Sequence, residues 1–568
     1  MGYKETFEQW KNQENLDDDL KIELANLKDD GEIEDRFYDF LSFGTAGMRG
    51  KLGAGTNRMN NVMVARATYG LAQQLIEAST ANADKGVAIA YDSRIKSDEF
   101  AKTAACVLAA QGVHAYLFES LRPTPMLSFA VRYLGCAGGI MITASHNPKE
   151  YNGYKVYGSD GAQLANEAAD AVVDVIEHVD NYFSIPKMNF QEAQAQGLIE
   201  IIGKDVDEAY YKEVEKVVHM DQKSDLIIVY TPLHGTGNIP VRRVLSDMGF
   251  KNVHVVPEQE NPDGNFPTVE FPNPEYKEVF NLAIPMAEKL GADLILGTDP
   301  DGDRVGVVNK NSDGEYVVFT GNQTGALLVD YILKTRPELP DNKAIIKTIV
   351  TSELGAVIAR AHGATPIDVL TGFKYIGEHI TDWQTTHEHT FALGYEESYG
   401  YLAGEYARDK DAVVASALIC EMAAYYKDLG KTLYDALQDL YKQYGYFEEG
   451  IQSFAFEGVD GKEKMDKLMN VFRDHHIPAF GDEKLVTVND YKDSESLDVA
   501  TGKETKIDLP SSNVLKFMYD KNSWFALRPS GTEPKLKIYY STYGKSKEEA
   551  SKNMEELKAA VNKVKEEN

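Results

Sequence analysis

Short apolar runs of strand character alternate with helix-period segments along most of this chain, and that alternation restricts it to few architectures. Val87–Tyr91 and the runs 139–143, 226–230, 294–297 and 345–350 read as strands. Segments 62–76, 99–111 and 323–333 carry helical spacing. Such alternation builds α/β layers, and three units of this kind follow one another. From about residue 446 the pattern changes. Two short strands, 524–527 and 536–540, flank a turn, and Ala550, Met554, Leu557, Val561 and Val564 make one apolar stripe on a closing helix. That segment reads as a smaller α+β domain. At 568 residues the length prior is about four domains. The expected limits are 1–205, 206–318, 319–445 and 446–568, with residues 1 to about 40 as a polar, short helical lead-in. No internal repeat is strong enough to be read from the sequence.

Charge narrows the function. The 89 acidic and 59 basic residues leave a net charge of -30, which argues against nucleic acid and against an anionic membrane as partner. An acidic protein that handles an anionic substrate must gather its cations in one cleft. The three cysteines, Cys106, Cys136 and Cys420, lie in apolar surroundings without a CxxC pair, as expected of reduced thiols in a cytoplasmic protein. No run has the length of a membrane span, and MGYKETFEQW lacks the apolar centre of a signal peptide.

The run at 139–143 stops at TASHNP. Asn147, Pro148 and Glu150 would suit the start of a helix, but Asn152-Gly153 breaks it within a turn. The other reading displays Ser145 on a loop as a nucleophile or phosphate carrier. In LILGTDPDGDR, Asp299, Asp301 and Asp303 alternate directly after a strand, and Pro300 and Gly302 favour a tight loop on which the three converge. Converging carboxylates repel unless a cation joins them, and hard oxygen ligands suit magnesium. A calcium EF-hand is excluded, because Arg304 and Lys310 stand where that loop needs glycine and glutamate. Three ligands leave positions for phosphate oxygens, so a phosphate on Ser145 would complete the set, with Arg304 beside it for a substrate phosphate.

Three further stretches suit sugar phosphates. LRPSGTEPK places Arg528, Ser530, Gly531 and Thr532 between two strands, a hydroxyl and guanidinium set for phosphate, although an ordinary hairpin reads alike. GYEES sets Glu396 and Ser398 on one side of an extended loop, with Arg408 and Lys410 downstream, as a reader of hydroxyls or as a plain acidic loop. FGTAGMRGKLGAGTNRMN offers flexible backbone with Arg49, Lys51 and Arg58 to an anion. No Walker loop or GxGxxG is present. His387 and His389 lack further metal ligands beside them, and His234 follows a strand without an assignable task.

TASHNP with Lys155 ten residues after Ser145, then DPDGDR, GYEES and RPSGTEPK, in that order, resembles the α-D-phosphohexomutases across nearly the whole chain. FGTAGMRG, TGFKYIG and the length resemble the phosphoglucomutase branch, which includes phosphopentomutase relatives. The resemblance implies a four-domain, heart-shaped α/β architecture around a central cleft, three similar α/β domains and a smaller C-terminal one. It implies phosphorylation of Ser145, magnesium on Asp299, Asp301, Asp303 and the serine phosphate, and catalytic or charge-stabilising roles for Arg49 and Lys155, with His146 holding the loop. It implies sugar contacts from Thr371, Gly372, Lys374, Glu396 and Ser398, and a clamp at Arg528, Ser530, Gly531 and Thr532 for the phosphate at rest. Many relatives carry a histidine two residues after the sugar-loop serine; Gly400 stands there, which makes Lys410 a candidate for phosphate contact or proton transfer.

The activity so implied interconverts glucose 1-phosphate and glucose 6-phosphate through a phosphoserine and glucose 1,6-bisphosphate, in a cytoplasmic monomer or weak homodimer. Mannose or pentose phosphates are the alternative substrates. A haloacid-dehalogenase-type phosphatase using Asp299 would leave Ser145 unexplained and has Asp303 out of pattern. A non-catalytic sugar-phosphate binder would have no use for the intact serine and aspartates.

Overall fold

In the computed structural model, described over residues 2–44, 47–179, 181–456, 461–474, 477, 479–529 and 535–567, the chain forms two compact units. One comprises residues 1–324 and 373–433, the other 325–372 and 434–568.

The first unit holds a six-stranded sheet in the order Met48–Lys51, Tyr151–Gly158, Gly138–Ile142, Val87–Tyr91, Ala115–Phe118, Ile199–Ile202. Val87–Tyr91 runs parallel to both of its neighbours, while Tyr151–Gly158 returns antiparallel to Gly138–Ile142. Every residue of Gly138–Ile142 is buried, which is why it appears in sequence as an unbroken apolar run and not as an alternation. Helix Asn61–Ala78 beside the sheet starts where the Asn60 side chain accepts from the Val62 and Met63 N–H groups, and it too is buried over most of its length.

A second, five-stranded sheet of this unit repeats the arrangement in the order Tyr316–Val318, Val305–Lys310, Leu294–Thr298, Ile227–Thr231, Asn252–Val255. Leu294–Thr298 is parallel to Ile227–Thr231, and Val305–Lys310 returns antiparallel to it. A third antiparallel return joins Thr390–Glu396 to Gly400–Leu402. In all three places a loop at the C-terminal end of a buried strand carries the residues that the sequence singles out, the position at which open α/β sheets bind ligands.

The lead-in is larger than the sequence suggests. Helices Tyr3–Lys11, Asp18–Asn26 and Asp30–Phe37 bury Phe7, Trp10, Leu20, Leu24, Ile33 and Phe37. Trp10 packs edge-on against Phe37 and Phe183 and donates its indole N–H to the Tyr182 hydroxyl at 3.1 Å. At three helices of eight or nine residues, each apolar stripe is only two or three positions long, and a polar composition masks it.

In the second unit, Lys343–Thr348 pairs parallel with Thr365–Val369. An antiparallel sheet runs in the order Tyr446–Ala455, Lys535–Gly544, Trp524–Pro529, Leu515–Tyr519, Glu483–Asp490, Glu495–Asp498, Lys503–Lys506. Helix Lys547–Glu566 buries Ala550 and places Met554, Leu557 and Val561 in the core that this sheet lines, with Val564 packed against it, as the stripe predicts.

Candidate active site

Residues 143–150 between Gly138–Ile142 and Tyr151–Gly158 form turns, so the helix start that Asn147 and Pro148 would suit does not form. Ser145 is buried and adopts φ +53°, left-handed backbone that costs a serine on the order of 1 kcal/mol. Its Oγ donates to Asp299 Oδ2 at 3.1 Å and lies 3.1 Å from His146 Nδ1. The serine loop and the aspartate loop, 154 residues apart, therefore meet at one hydroxyl.

The aspartate loop is built as a cup. Gly302 takes φ +65°, which lets the chain fold back so that Asp299 Oδ1 accepts the N–H groups of Asp303 (3.1 Å) and Arg304 (3.0 Å). Backbone N–H groups of Thr124, Thr236 and Ala412 hold the carbonyls of Asp301, Pro300 and Gly302 from outside. All three carboxylates are buried, with one oxygen of each within 4.8 Å of the others.

Cations surround the cup. Lys155 Nζ stands 2.8 Å from Asp301 Oδ2 and 3.4 Å from Asp303 Oδ2. Lys410 Nζ stands 3.4 Å from Asp303 Oδ2 and 2.9 Å from Asp409 Oδ1. Arg304 pairs with Glu275 at 2.7 Å. Burial and the two neighbouring aspartates push the Asp299 carboxyl well above the usual carboxylate range. Burial acts the same way on Asp301, but the Lys155 ammonium overrides it and holds that group low. Lys410 is buried at a cost to its charge, yet Asp303, Asp409 and Glu396 together raise its pKa. Burial, reinforced by the charges of Arg304 and Arg49, keeps His146 neutral far below its ordinary pKa.

These residues fit a divalent cation. The lysines and Thr124 occupy the Oδ2 atoms of Asp301 and Asp303, and the two Oδ1 atoms are buried without a hydrogen-bond partner. Asp303 Oδ1 has the Arg304 Nε at 3.8 Å, beyond hydrogen-bond reach, and buried carboxylate oxygens without a hydrogen bond in a three-aspartate cup are the donor set of a hard metal ion.

The other expected site residues are placed as follows. Arg49, on Met48–Lys51, donates to Asn147 Oδ1 at 3.0 Å and so touches the serine loop. Glu396 ends a buried strand close enough to raise the pKa values of Arg304 and Lys410. Ser398 lies in the turn that follows, whose Tyr399 carbonyl accepts from Val305 N–H just past the aspartate cup. Lys374 donates to Asn166 Oδ1 at 2.6 Å. Thr371 and Gly372 belong to the second unit, where the Thr371 hydroxyl is buried without a partner. Arg528 sits on Trp524–Pro529 opposite Lys537; Ser530, Gly531 and Thr532 lie outside the described residues.

Two cations offered to an anion are taken up structurally. Arg58 forms an ion pair with Asp35, and Arg408 is fully buried on Thr381, Gln384 and the Glu405 carbonyl. His234 braces a loop, with its ring nitrogens on the Asn261 carbonyl and Thr268 hydroxyl, and His389 packs against Trp383. Sequence reading missed Thr124, Glu275, Asp409, Asp92 and Arg94. For the last two a signal existed, since DSR directly follows Val87–Tyr91 at a parallel strand's C-terminal end.

Four family domains match in order: phosphoglucomutase/phosphomannomutase alpha/beta/alpha domain I over residues 41–183, domain II over 208–314, domain III over 320–444 and the C-terminal domain over 482–560. The phosphoglucomutase of Staphylococcus epidermidis is 39% identical over 528 residues, covering 93% of this chain and 95% of its own length. That of Staphylococcus aureus is 40% identical over 535 residues, covering 93% and 95%. Among solved structures, the exocytosis-sensitive phosphoprotein pp63/parafusin of Paramecium, a phosphoglucomutase, superposes with a TM-score of 0.69 at 16% identity, over 92% of this chain and 94% of its own.

Proposed function

Because the chain belongs to the phosphoglucomutase/phosphomannomutase family, with its three α/β domains and C-terminal domain, we propose that it is a magnesium-dependent phosphoglucomutase. It interconverts α-D-glucose 1-phosphate and D-glucose 6-phosphate. The observation that carries the reading is the Ser145 hydroxyl, displayed on strained backbone 3.1 Å from Asp299 of a buried three-carboxylate cup. The names of the staphylococcal relatives favour glucose over mannose or pentose phosphates.

Asp299, Asp301 and Asp303 would hold magnesium, with the Ser145 phosphate as a further ligand. Magnesium there supplies Lewis acidity at the transferring phosphoryl group. Ser145 carries that group. The Ser145 Oγ–P bond breaks as a bond forms to the free sugar hydroxyl, giving glucose 1,6-bisphosphate. The proton lost by the sugar is balanced by the one that returns to Ser145. The bisphosphate then turns over, and its other phosphate returns to the serine. Lys155 and Lys410, held protonated beside the cup, stabilise charge on the phosphoryl oxygens, and Arg49 does so from strand Met48–Lys51 beside the serine loop. His146, held neutral, positions the serine hydroxyl through Nδ1. Arg304 orients a substrate phosphate, Thr371, Gly372, Lys374, Glu396 and Ser398 read the sugar, and Arg528, Ser530, Gly531 and Thr532 clamp the resting phosphate. We further propose domain limits at residues 205, 318 and 445, a cytoplasmic location and a monomer or weak homodimer. The location is supported by free cysteines at 106, 136 and 420, and by the finding that no helix among the described residues is long and apolar enough to cross a membrane.

The test is a mutase assay with magnesium and a trace of glucose 1,6-bisphosphate, comparing glucose, mannose and ribose 1-phosphates by kcat/KM. A glucose preference lost in Ser145→Ala is the expected result. A ribose or mannose preference overturns the substrate; full activity in Ser145→Ala overturns the mechanism.

A further inference from the structure

One side chain outside the expected site residues holds the whole serine loop. Arg94 follows Val87–Tyr91, is buried, and spends all four terminal N–H groups on peptide carbonyls of that loop. Nη2 donates to the carbonyls of Ser145 (2.6 Å) and Asn147, and Nη1 to those of Pro148 (2.9 Å) and Tyr151 (3.0 Å). Its Nε lies 3.3 Å from Asp92 Oδ2, and the Phe266 ring packs 5.0 Å from the guanidinium carbon.

The same pair reaches the other side of the Ser145 peptide. Asp92 accepts from the Ser97 hydroxyl at 2.7 Å, from Arg94 N–H at 2.9 Å and from the Thr143 hydroxyl at 2.6 Å. Thr143 Oγ1 in turn accepts the Ser145 N–H at 2.8 Å. The carbonyl of Ser145 is thus fixed by Arg94 directly, and its N–H by Asp92 through Thr143. Those two bonds bracket the one residue of the loop with positive φ. All four Nη donors of Arg94 are taken by these carbonyls, and its Nε, which makes no hydrogen bond, faces Asp92.

We propose that Arg94 is a positioning residue of phosphoryl transfer. It sets the left-handed backbone of Ser145, and through it the placement of Oγ against Asp299, by acting on the peptide and never on the sugar. The inference rests on the phosphoserine reading above. A lysine keeps the charge but has a point ammonium in place of a planar fork, so it does not span four carbonyls. None of the fork's bonds goes to Glu396, Ser398 or Arg528. The cost therefore falls on the chemical step and spares binding.

The experiment uses the full chain, wild type beside Arg94→Lys and Arg94→Met. It measures kcat and KM for glucose 1-phosphate, melting temperature, and the rate and extent of labelling of Ser145 by glucose 1,6-bisphosphate carrying labelled phosphate. The expected result for Arg94→Lys is a fall of about 100-fold in both kcat and labelling rate, with KM within about twofold and full final labelling. Arg94→Met follows the same pattern, and if it fails to fold, Arg94→Lys decides. Two results with the variants overturn the proposal. One is an Arg94→Lys enzyme with kcat within about threefold of wild type, which means charge without the fork suffices. The other is a loss of rate matched by a loss of labelled serine, which means partial unfolding and nothing more. A wild type that labels Ser145 but does not turn over glucose 1-phosphate defeats the glucose reading alone, and the labelling rate then decides on Arg94. A wild type that takes no label overturns both.

Discussion

Gly400 and Lys410 show how one missing side chain makes room for another. A Cβ at Gly400 would lie 2.1 Å from Lys410 Cδ, so the lysine stem passes through the space that a side chain there would fill. The ammonium at its end is pinned between Asp303 and Asp409. The glycine that departs from the pattern of many relatives is therefore the condition for a buried lysine at the cup. Gly400→Ala is expected to push Lys410 out of line and to lower kcat/KM by about tenfold or more. Its melting temperature is expected to change little, because a flexible stem gives way more cheaply than backbone. Unchanged kinetics in Gly400→Ala would show that Lys410 is not needed where it stands. The sequence pointed from Gly400 to Lys410 as a candidate, but not to the lysine stem filling the space beside the glycine. Ser145 and the three aspartates were legible, because their residue types cluster within a few positions after an apolar run. Arg94 was not: DSR at a parallel strand's C-terminal end marks the position, but the carbonyls that Arg94 holds lie more than fifty residues away.

Elements carry the next level of constraint. Helix Ala412–Asp428 begins at Asp411, whose Oδ1 accepts from Val413 N–H at 2.8 Å and Val414 N–H at 3.1 Å. Its other oxygen accepts the Tyr406 hydroxyl at 2.6 Å and the Tyr210 hydroxyl at 2.7 Å. Asp411→Ala removes the cap and strands two buried phenols, a loss of about 3 kcal/mol or more in denaturant unfolding. A loss under about 1 kcal/mol would mean that the network relaxes around the gap. Five core strands, at 87–91, 138–142, 227–231, 294–298 and 343–348, were legible to within about two residues, because strands buried on both faces are continuous apolar runs, whereas the antiparallel returns Tyr151–Gly158 and Val305–Lys310 were not read. The three N-terminal helices were not separated, since each offers too short a stripe. Connectivity was also out of reach. The shared plan of the first two sheets lies in strand order and direction, and no sequence self-similarity announces it.

At the scale of the molecule, pH and metal set stability. In the second unit burial pushes the Glu449 carboxyl up to about 7, against an opposing hydrogen bond from Ser352. A carboxyl raised in the folded state holds its proton more tightly there than in the unfolded chain. Its contribution is thus fully present below about pH 4.5 and is lost as pH rises through about 7, a change of about 2 to 3 kcal/mol at most. Glu449→Gln is expected to flatten that slope and to be the more stable form at pH 8, as read from unfolding curves between pH 5 and 8. An unchanged slope would contradict the assignment. For the aspartate cup, chelator-treated enzyme is expected to lose activity, and magnesium at about 100 times its Kd to add about 2.7 kcal/mol of stability. Asp301→Asn is expected to abolish that gain; the same melting temperature with and without magnesium in the unsubstituted chain would contradict a metal-binding cup.

The most direct measurement is the site of phosphate on the working enzyme. The chain, given labelled glucose 1,6-bisphosphate and magnesium, is quenched in acid and its peptides are mapped. Phosphoryl transfer through Ser145 predicts acid-stable phosphate on the peptide containing TASHNP. Label on the peptide containing DPDGDR, or turnover with Ser145 unlabelled, would contradict it.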